Sequence, residues 1–143
     1  MAKNKLAPKL YGYAEADGAP TAYVMEYLDP SSWQTLYQFF ESDAIAVDPT
    51  QLKEAVESIL KTLDSKNYVH RDLQTNNIMI QTNVIDKCVD VKVINFDWAG
   101  KAGEVCYPAE RNIDIQWPGE AGAPILKEHD SEMVHSWLDQ RLW

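Results

Sequence analysis

The residues best equipped for chemistry sit in one short run, His70-Arg-Asp-Leu-Gln-Thr-Asn-Asn77. A carboxylate such as Asp72 can take a proton from a hydroxyl. An amide oxygen such as that of Asn77 can serve a hard cation. Arg71 offers a permanent positive charge to an anion. A second run, Val91-Lys-Val-Ile-Asn-Phe-Asp-Trp-Ala-Gly100, carries Asn95 and Asp97. In extended backbone, residues i and i+2 point to the same side, so Asp97 can approach whatever Asn95 faces. The bland reading of the first run is a polar turn between a helix and a strand. Four residue types at fixed spacing, on a helix–loop–strand background, argue against it.

Those runs need elements to hold them. The strongest pattern lies just before His70. Asp48 is a good N-cap, Pro49 suits the first turn, and Gln51 stands at the capping-box position. Leu52, Val56, Ile59, Leu60 and Leu63 then line one face of a helix expected to run to Asn67. Burying those side chains gains a gross ~10 kcal/mol before entropy is counted. An earlier helix is expected over Trp33–Ser42, with Trp33, Leu36, Tyr37 and Phe40 as its apolar stripe. Strands are expected at Leu10–Ala14 and Thr21–Leu28, with Ala16-Asp-Gly-Ala-Pro20 as the turn between them. Further strands are expected at Asn77–Ile80 and Val91–Phe96, joined by a loop over Gln81–Asp90. Lys101–Glu128 has little periodicity and reads as a long irregular segment, of the kind that is usually functional. Asp130–Trp143 is helical in pattern, with Met133, Val134, Trp137, Leu138 and Arg141 on one face.

Composition narrows the partners. The 143 residues carry 13 Lys+Arg and 22 Asp+Glu, for a net charge of −9. Such acidity argues against a phosphate-backbone binder, whose affinity rests on clustered cations, and disfavours an anionic membrane surface. No apolar run approaches the ~20 residues of a membrane span. The N-terminus is basic but has no hydrophobic stretch behind it, so no secretory signal is expected. Cys88 and Cys106 lack metal spacing and read as buried or free thiols, which suits a reducing, intracellular compartment. His129 and His135 are too scattered for a metal site.

His70-Arg-Asp-Leu-x-x-x-Asn77 is the catalytic-loop signature of protein kinases, and the chain resembles the protein-kinase-like superfamily. The run Ile94-Asn-Phe-Asp-Trp-Ala-Gly100 resembles in particular a group of fungal kinase-like proteins. Tyr107-Pro108, Trp117-Pro118-Gly119 and Glu128-His129-Asp130 continue that likeness downstream. The resemblance implies an α+β fold: a mainly helical C-lobe with a hinge and two N-lobe edge strands. Residues 1–28 would supply the edge strands and hinge, and residues 29–143 a C-lobe cut inside its last helix. It implies ATP and magnesium as cofactors, if the protein is active. Asp72 would accept the proton of the attacking hydroxyl and Asn77 would hold magnesium on the phosphates. Arg71 would bind a phosphorylated activation segment. Met25 would be the gatekeeper, with the backbones of Glu26 and Leu28 facing the adenine. Asn95 would stand at the place of a metal-binding Asp, with Asp97 able to approach the same metal site, and Asp130 would anchor the catalytic loop through its backbone.

The chain departs from a working kinase in three places. Asn95 stands where kinases place a metal-binding Asp, and a neutral amide is the weaker ligand. Asp97 is a possible rescue, though the simpler reading is that it only keeps that run's second acid. Gln74 stands where protein Ser/Thr kinases have a Lys, and it supplies no charge to the transferred phosphate. Aminoglycoside- and choline-kinase-like enzymes also lack that Lys, so the acceptor stays open. No Gly-rich loop is present, and Lys3, Lys5 and Lys9 read as surface charge. The expected function is therefore a kinase-like fragment with impaired catalysis and weak or absent nucleotide binding. The alternative is an active phosphotransferase, with a protein or small-molecule hydroxyl as acceptor, completed by an N-lobe from elsewhere. Leu10, Tyr23, Val24 and Met25 are expected to leave an apolar edge exposed, through which a protein partner could bind. His70 and Tyr107 are expected to pack rather than to do acid–base work or carry phosphate.

Overall fold

The structure, a computed structural model, describes residues 5–42, 47–82 and 89–142. Strands β1 (Leu10–Ala14) and β2 (Ala22–Met25) pair as an antiparallel hairpin. The turn between them closes through the Ala19 amide on the Ala16 carbonyl and needs Gly18 at a φ of 76°. Little covers this hairpin: Leu10, Tyr23, Val24 and Met25 are all at least half exposed.

The expected helix over Trp33–Ser42 is shorter than its pattern. Gln34–Thr35 forms a two-residue strand, β3, and helix α1 spans Leu36–Glu41. Thr35 is the reason. Its side chain accepts from the Gln38 amide while the Gln38 side chain accepts from the Thr35 amide, a capping box that starts the helix one residue later. Leu36 and Phe39 are buried, whereas Tyr37, expected on the apolar stripe, is exposed and Trp33 lies before the helix.

Helix α2 (Pro49–Ser65) begins where Asp48 caps the Thr50 amide, with Pro49 in its first turn. It buries Leu52, Val56, Ile59 and Leu63 as the spacing requires, and Leu60 packs at the margin. It stops at Ser65 rather than Asn67, which takes the left-handed φ of 57° that often ends a helix. Strand β4 (Tyr68–Val69) leads into the His70 run, and a 3₁₀ turn over Thr75–Asn77 closes that run. Asn77 thus belongs to the turn, and strand β5 starts at Ile78 and ends at Thr82.

Strand β6 (Val89–Val93) pairs antiparallel with β5, which also pairs with β3. The ends of the expected 81–90 loop are therefore ladder, and its middle lies outside the described residues, as do Lys3, Cys88 and Trp143. β6 ends earlier than expected because Asn95 takes a φ of 62°, which breaks an extended chain. Strand β7 (Gly100–Lys101) pairs with β4, a two-residue contact with no periodicity to announce it. The following segment is irregular as expected. Helix α3 (Lys127–Leu142) starts a turn earlier than its apolar pattern and so carries Asp130 in its first turn. Met133, Val134 and Leu138 are buried, but Arg141 is exposed and meets Glu41 at 3.3 Å.

One core joins α1, α2, the β5–β6 hairpin and α3 through Leu36, Val56, Ile59, Ile78, Val93 and Leu138. A smaller one joins Val69, Tyr107 and Ile125. No helix among the described residues is long and apolar enough to cross a membrane. Ile59→Ala is expected to lower unfolding free energy by about 2–5 kcal/mol, since Ile59 is fully buried. Lys61→Ala, two residues on, removes only an exposed pair with Glu57 and is expected to change it by less than about 1 kcal/mol. Urea titration of both variants checks the contrast.

Candidate functional site

The site is organised around two successive amides. The His70 amide donates to Asp130 Oδ2 at 2.6 Å and the Arg71 amide to Asp130 Oδ1 at 2.9 Å. Asp130 is only 4% exposed, and burial pushes its carboxyl up from the usual range while the two amides oppose that shift. Arg71 takes a φ of 78°, a left-handed turn of the chain that goes with two neighbouring N–H groups converging on one carboxylate. Trp137 on α3 adds a bond from its indole N–H to the Leu73 carbonyl at 2.9 Å. Composition alone gave Trp137 only a packing role.

His70 is fully buried, and its ring packs edge-on against Phe96 at 5.0 Å. Its Nε2 lies 3.0 Å from the Ile94 carbonyl. A carbonyl can only accept, so Nε2 carries the proton. Nδ1 is buried without a partner among the described residues. Burial pulls the His70 pKa down, and the bond to Ile94 ties the His70–Asn77 loop to the end of β6.

From Asp72 a chain of side-chain hydrogen bonds leads to Asn95. Gln74 Nε2 donates to Asp72 Oδ1, and Asn77 Nδ2 donates to Asp72 Oδ2 at 2.8 Å and to the Asp72 carbonyl at 2.9 Å. Asn95 Nδ2 then donates to Asn77 Oδ1 at 3.3 Å. The orientations are forced. Asn77 faces two acceptors on Asp72, so its N–H₂ points there and its oxygen points to Asn95, which must present N–H in turn. Gln74, a departure in the sequence, emerges as a direct partner of Asp72, a role its type and i+2 spacing permit but do not announce.

Asn95 and Asp97 line a cleft of about 620 Å³ against Ala7, Leu10, Tyr23 and Met25. Of the three hinge residues expected at the base, Met25 lines this cleft. Glu26 and Leu28 are not among its lining residues. The Glu26 amide is spent on the Lys9 carbonyl, and its carboxylate takes Lys92 at 2.6 Å in a groove on another side. That pair holds the Glu26 carboxyl below the usual range.

Magnesium would require oxygens from Asn77, Asn95 and Asp97. The Asn77 oxygen already accepts from Asn95, which turns a donor towards the position a cation needs. Asp97 is exposed, and no cluster of three His, Cys, Asp or Glu among the described residues could hold a metal. The residues present do not fit the ion in this arrangement.

Beyond the cleft, Tyr107 is 3% exposed, stacks on His129 at 5.7 Å and meets Trp117 edge-on at 6.1 Å. Gly119 allows this, since a Cβ there would lie 2.6 Å from the Tyr107 ring. Arg111 lies over the Tyr107 ring and donates to the Gly119 carbonyl at 2.5 Å. Burial pushes the Tyr107 hydroxyl up to about 12. Arg71 Nε is buried without a partner among the described residues, and burial pulls its pKa down.

The depressed His70 pKa has a pH signature. A group whose folded pKa lies below its unfolded value of ~6.5 stabilises above that value and loses the contribution as pH falls through the folded one. Unfolding free energy is expected to fall on acidification below about pH 6.5, by up to ~1.4 kcal/mol per pH unit for this one proton. His70→Gln removes that part of the slope, which urea titrations of both proteins at pH 7 and pH 5 measure.

A 73-residue stretch is 27% identical to the ephrin type-A receptor 6 of Rattus norvegicus, and equally to those of Mus musculus and Homo sapiens. The stretch covers 51% of this chain but 7% of each receptor, so the chain spans a small part of those relatives. The fungal subgroup likeness is not among these matches. The profile of the family described as protein tyrosine and serine/threonine kinase matches residues 2–117, and the chain belongs to that protein kinase family.

Proposed function

We propose that this is a kinase-like domain with impaired phosphoryl transfer that works by binding rather than by catalysis. The observation that carries the reading is the amide–amide hydrogen bond from Asn95 to Asn77. It uses one of the two lone pairs of the Asn77 oxygen and sets an uncharged amide beside it. Phosphoryl transfer depends on positioning and on neutralising phosphate charge. Gln74 against Asp72 adds hydrogen bonding there but no positive charge. ATP and magnesium remain the cofactors a family member uses when active.

A second reading, an active phosphotransferase on a protein or small-molecule hydroxyl, draws support from the intact loop. Asp72 and Asn77 are bonded to each other and Asp130 holds the backbone beneath them. It requires an N-lobe that adds to the exposed β1–β2 hairpin, and the same hairpin is where a protein partner would dock. Purified protein with labelled ATP and magnesium is expected to give no transfer above background to peptide, choline or aminoglycoside acceptors. Magnesium-dependent transfer abolished by Asp72→Ala would establish the second reading instead.

A further inference from the structure

We infer that the groove between the segment leading into β1 and the β5–β6 hairpin docks an acidic peptide segment of a partner protein, with an apolar residue of that segment lying between Tyr11 and Trp33. The inference is separate from the reading above, since phosphoryl transfer, present or absent, leaves it standing. The groove measures about 440 Å³ and shares only Ala7 with the lining of the Asn95–Asp97 cleft. Lys5, Lys9 and Lys92 line it together with the Tyr11 and Trp33 rings. Two contacts bring these distant parts of the chain to one place. The Val93 amide donates to the Leu6 carbonyl at 3.0 Å, which pins the segment after Lys5 against β6. The Glu26 carboxylate takes the Lys9 amide at 3.0 Å and the Lys92 ammonium at 2.6 Å, which ties the base of the β1–β2 hairpin to the same strand.

Each ring carries a cation. Lys9 Nζ lies 5.2 Å from the Tyr11 ring centroid, and Lys92 Nζ lies 5.2 Å from that of Trp33. An ammonium has three donors, so a ring face beneath it leaves donors for an anion. Lys92 spends its charge on Glu26, whereas Lys5 and Lys9 are exposed and together outweigh Asp90, the other acid of the lining. Carboxylates set on Lys5 and Lys9 make charge-assisted hydrogen bonds. Tyr11 is 61% exposed and Trp33 is half-buried, so both offer ring surface to an apolar side chain. Gln81 and Asp90, partners in the β5–β6 ladder, complete the polar lining. Gln81 can donate to a peptide carbonyl, and both can accept from a peptide amide. A bare anion has no N–H to give them, so this mixture suits a peptide. Three of the chain's 13 Lys+Arg meet here on a molecule of net charge −9, which makes the attraction local and sensitive to salt.

Fluorescence anisotropy tests this on the purified chain, with a labelled peptide of four glutamates around one phenylalanine and its counterpart with lysines for the glutamates. The acidic peptide is expected to bind about tenfold more tightly than the basic one, or better. Raising ionic strength to about 1 M, where the screening length falls to ~3 Å, is expected to weaken it severalfold. Lys5→Glu with Lys9→Glu, both at exposed positions, is expected to weaken binding about tenfold with an unchanged unfolding midpoint. Lys61→Glu with Lys101→Glu makes the same change in net charge outside the groove and is expected to leave binding within about twofold. Tyr11→Ala removes one wall without touching a charge and is expected to weaken binding about fivefold. Absent binding of the acidic peptide, equal binding of the basic one, or equal losses in the two charge-reversed pairs overturns the inference. Displacement of the peptide by equimolar inorganic phosphate also overturns it and marks a phosphate site instead.

Discussion

Asp130 is the point on which the site turns. It is a buried carboxylate, and burying one without partners is costly. Two backbone N–H groups, from His70 and Arg71, meet its two oxygens, and its place in the first turn of α3 adds the positive end of the helix dipole. The chain must turn out of extended geometry to deliver both amides, and Arg71 does so at positive φ. A left-handed Arg persists only where its surroundings over-determine it. Those surroundings are α3 itself, fixed to α2 and the hairpin through Val134 and Leu138, with the Trp137 N–H gripping Leu73. The hydrophobic core therefore sets the backbone of the catalytic loop through one carboxylate and one indole.

From that fixed backbone the side chains extend as a relay of donors and acceptors. Asp72 accepts from Gln74 and Asn77, Asn77 accepts from Asn95, and each step dictates the next. In such a relay one atom decides the chemistry. An oxygen in place of Asn95 Nδ2 would face the Asn77 oxygen, and two acceptors with no proton between them invite a cation. The nitrogen supplies the proton itself. The relay is satisfied by its own protons.

Much of this was legible in the sequence where long periodicity or a spaced motif carried the signal. The face of α2 follows from Leu52, Val56, Ile59 and Leu63, and the His70–Asn77 run announces a loop under constraint. The backbone anchor at Asp130 followed from resemblance, and the geometry supplies its two bonds. The rest depended on tertiary contact. β3, β4 and β7 are two residues long and exist because a partner strand lies beside them. Trp33 and Tyr37 fit a helical stripe, yet the Thr35–Gln38 box overrode it. Glu26 looked like part of a hinge, and only its meeting with Lys92, distant in the chain, shows where its side chain goes. Side-chain direction within the relay was likewise invisible, since an Asn in a sequence does not say which end of its amide faces a neighbour.

The distribution of burial explains how the fold and the chemistry can part company. The groups that shape the loop are inside: Asp130, His70 and Asn77 are each at most 5% exposed, and altering any of them leaves a buried polar group unpaired. The residues that depart from a working kinase lie further out, with Gln74 half-buried and Asn95 exposed. At an exposed position, exchange of a carboxylate for an amide of the same shape leaves packing untouched. Magnesium affinity, by contrast, depends directly on ligand charge. A carboxylate at 95 would face the Asn77 oxygen with no proton between them and would need a cation to relieve the pair. The amide removes that need. Stability and metal affinity thus depend on different residues in one connected network, the inner set holding the loop and the outer set carrying the charge.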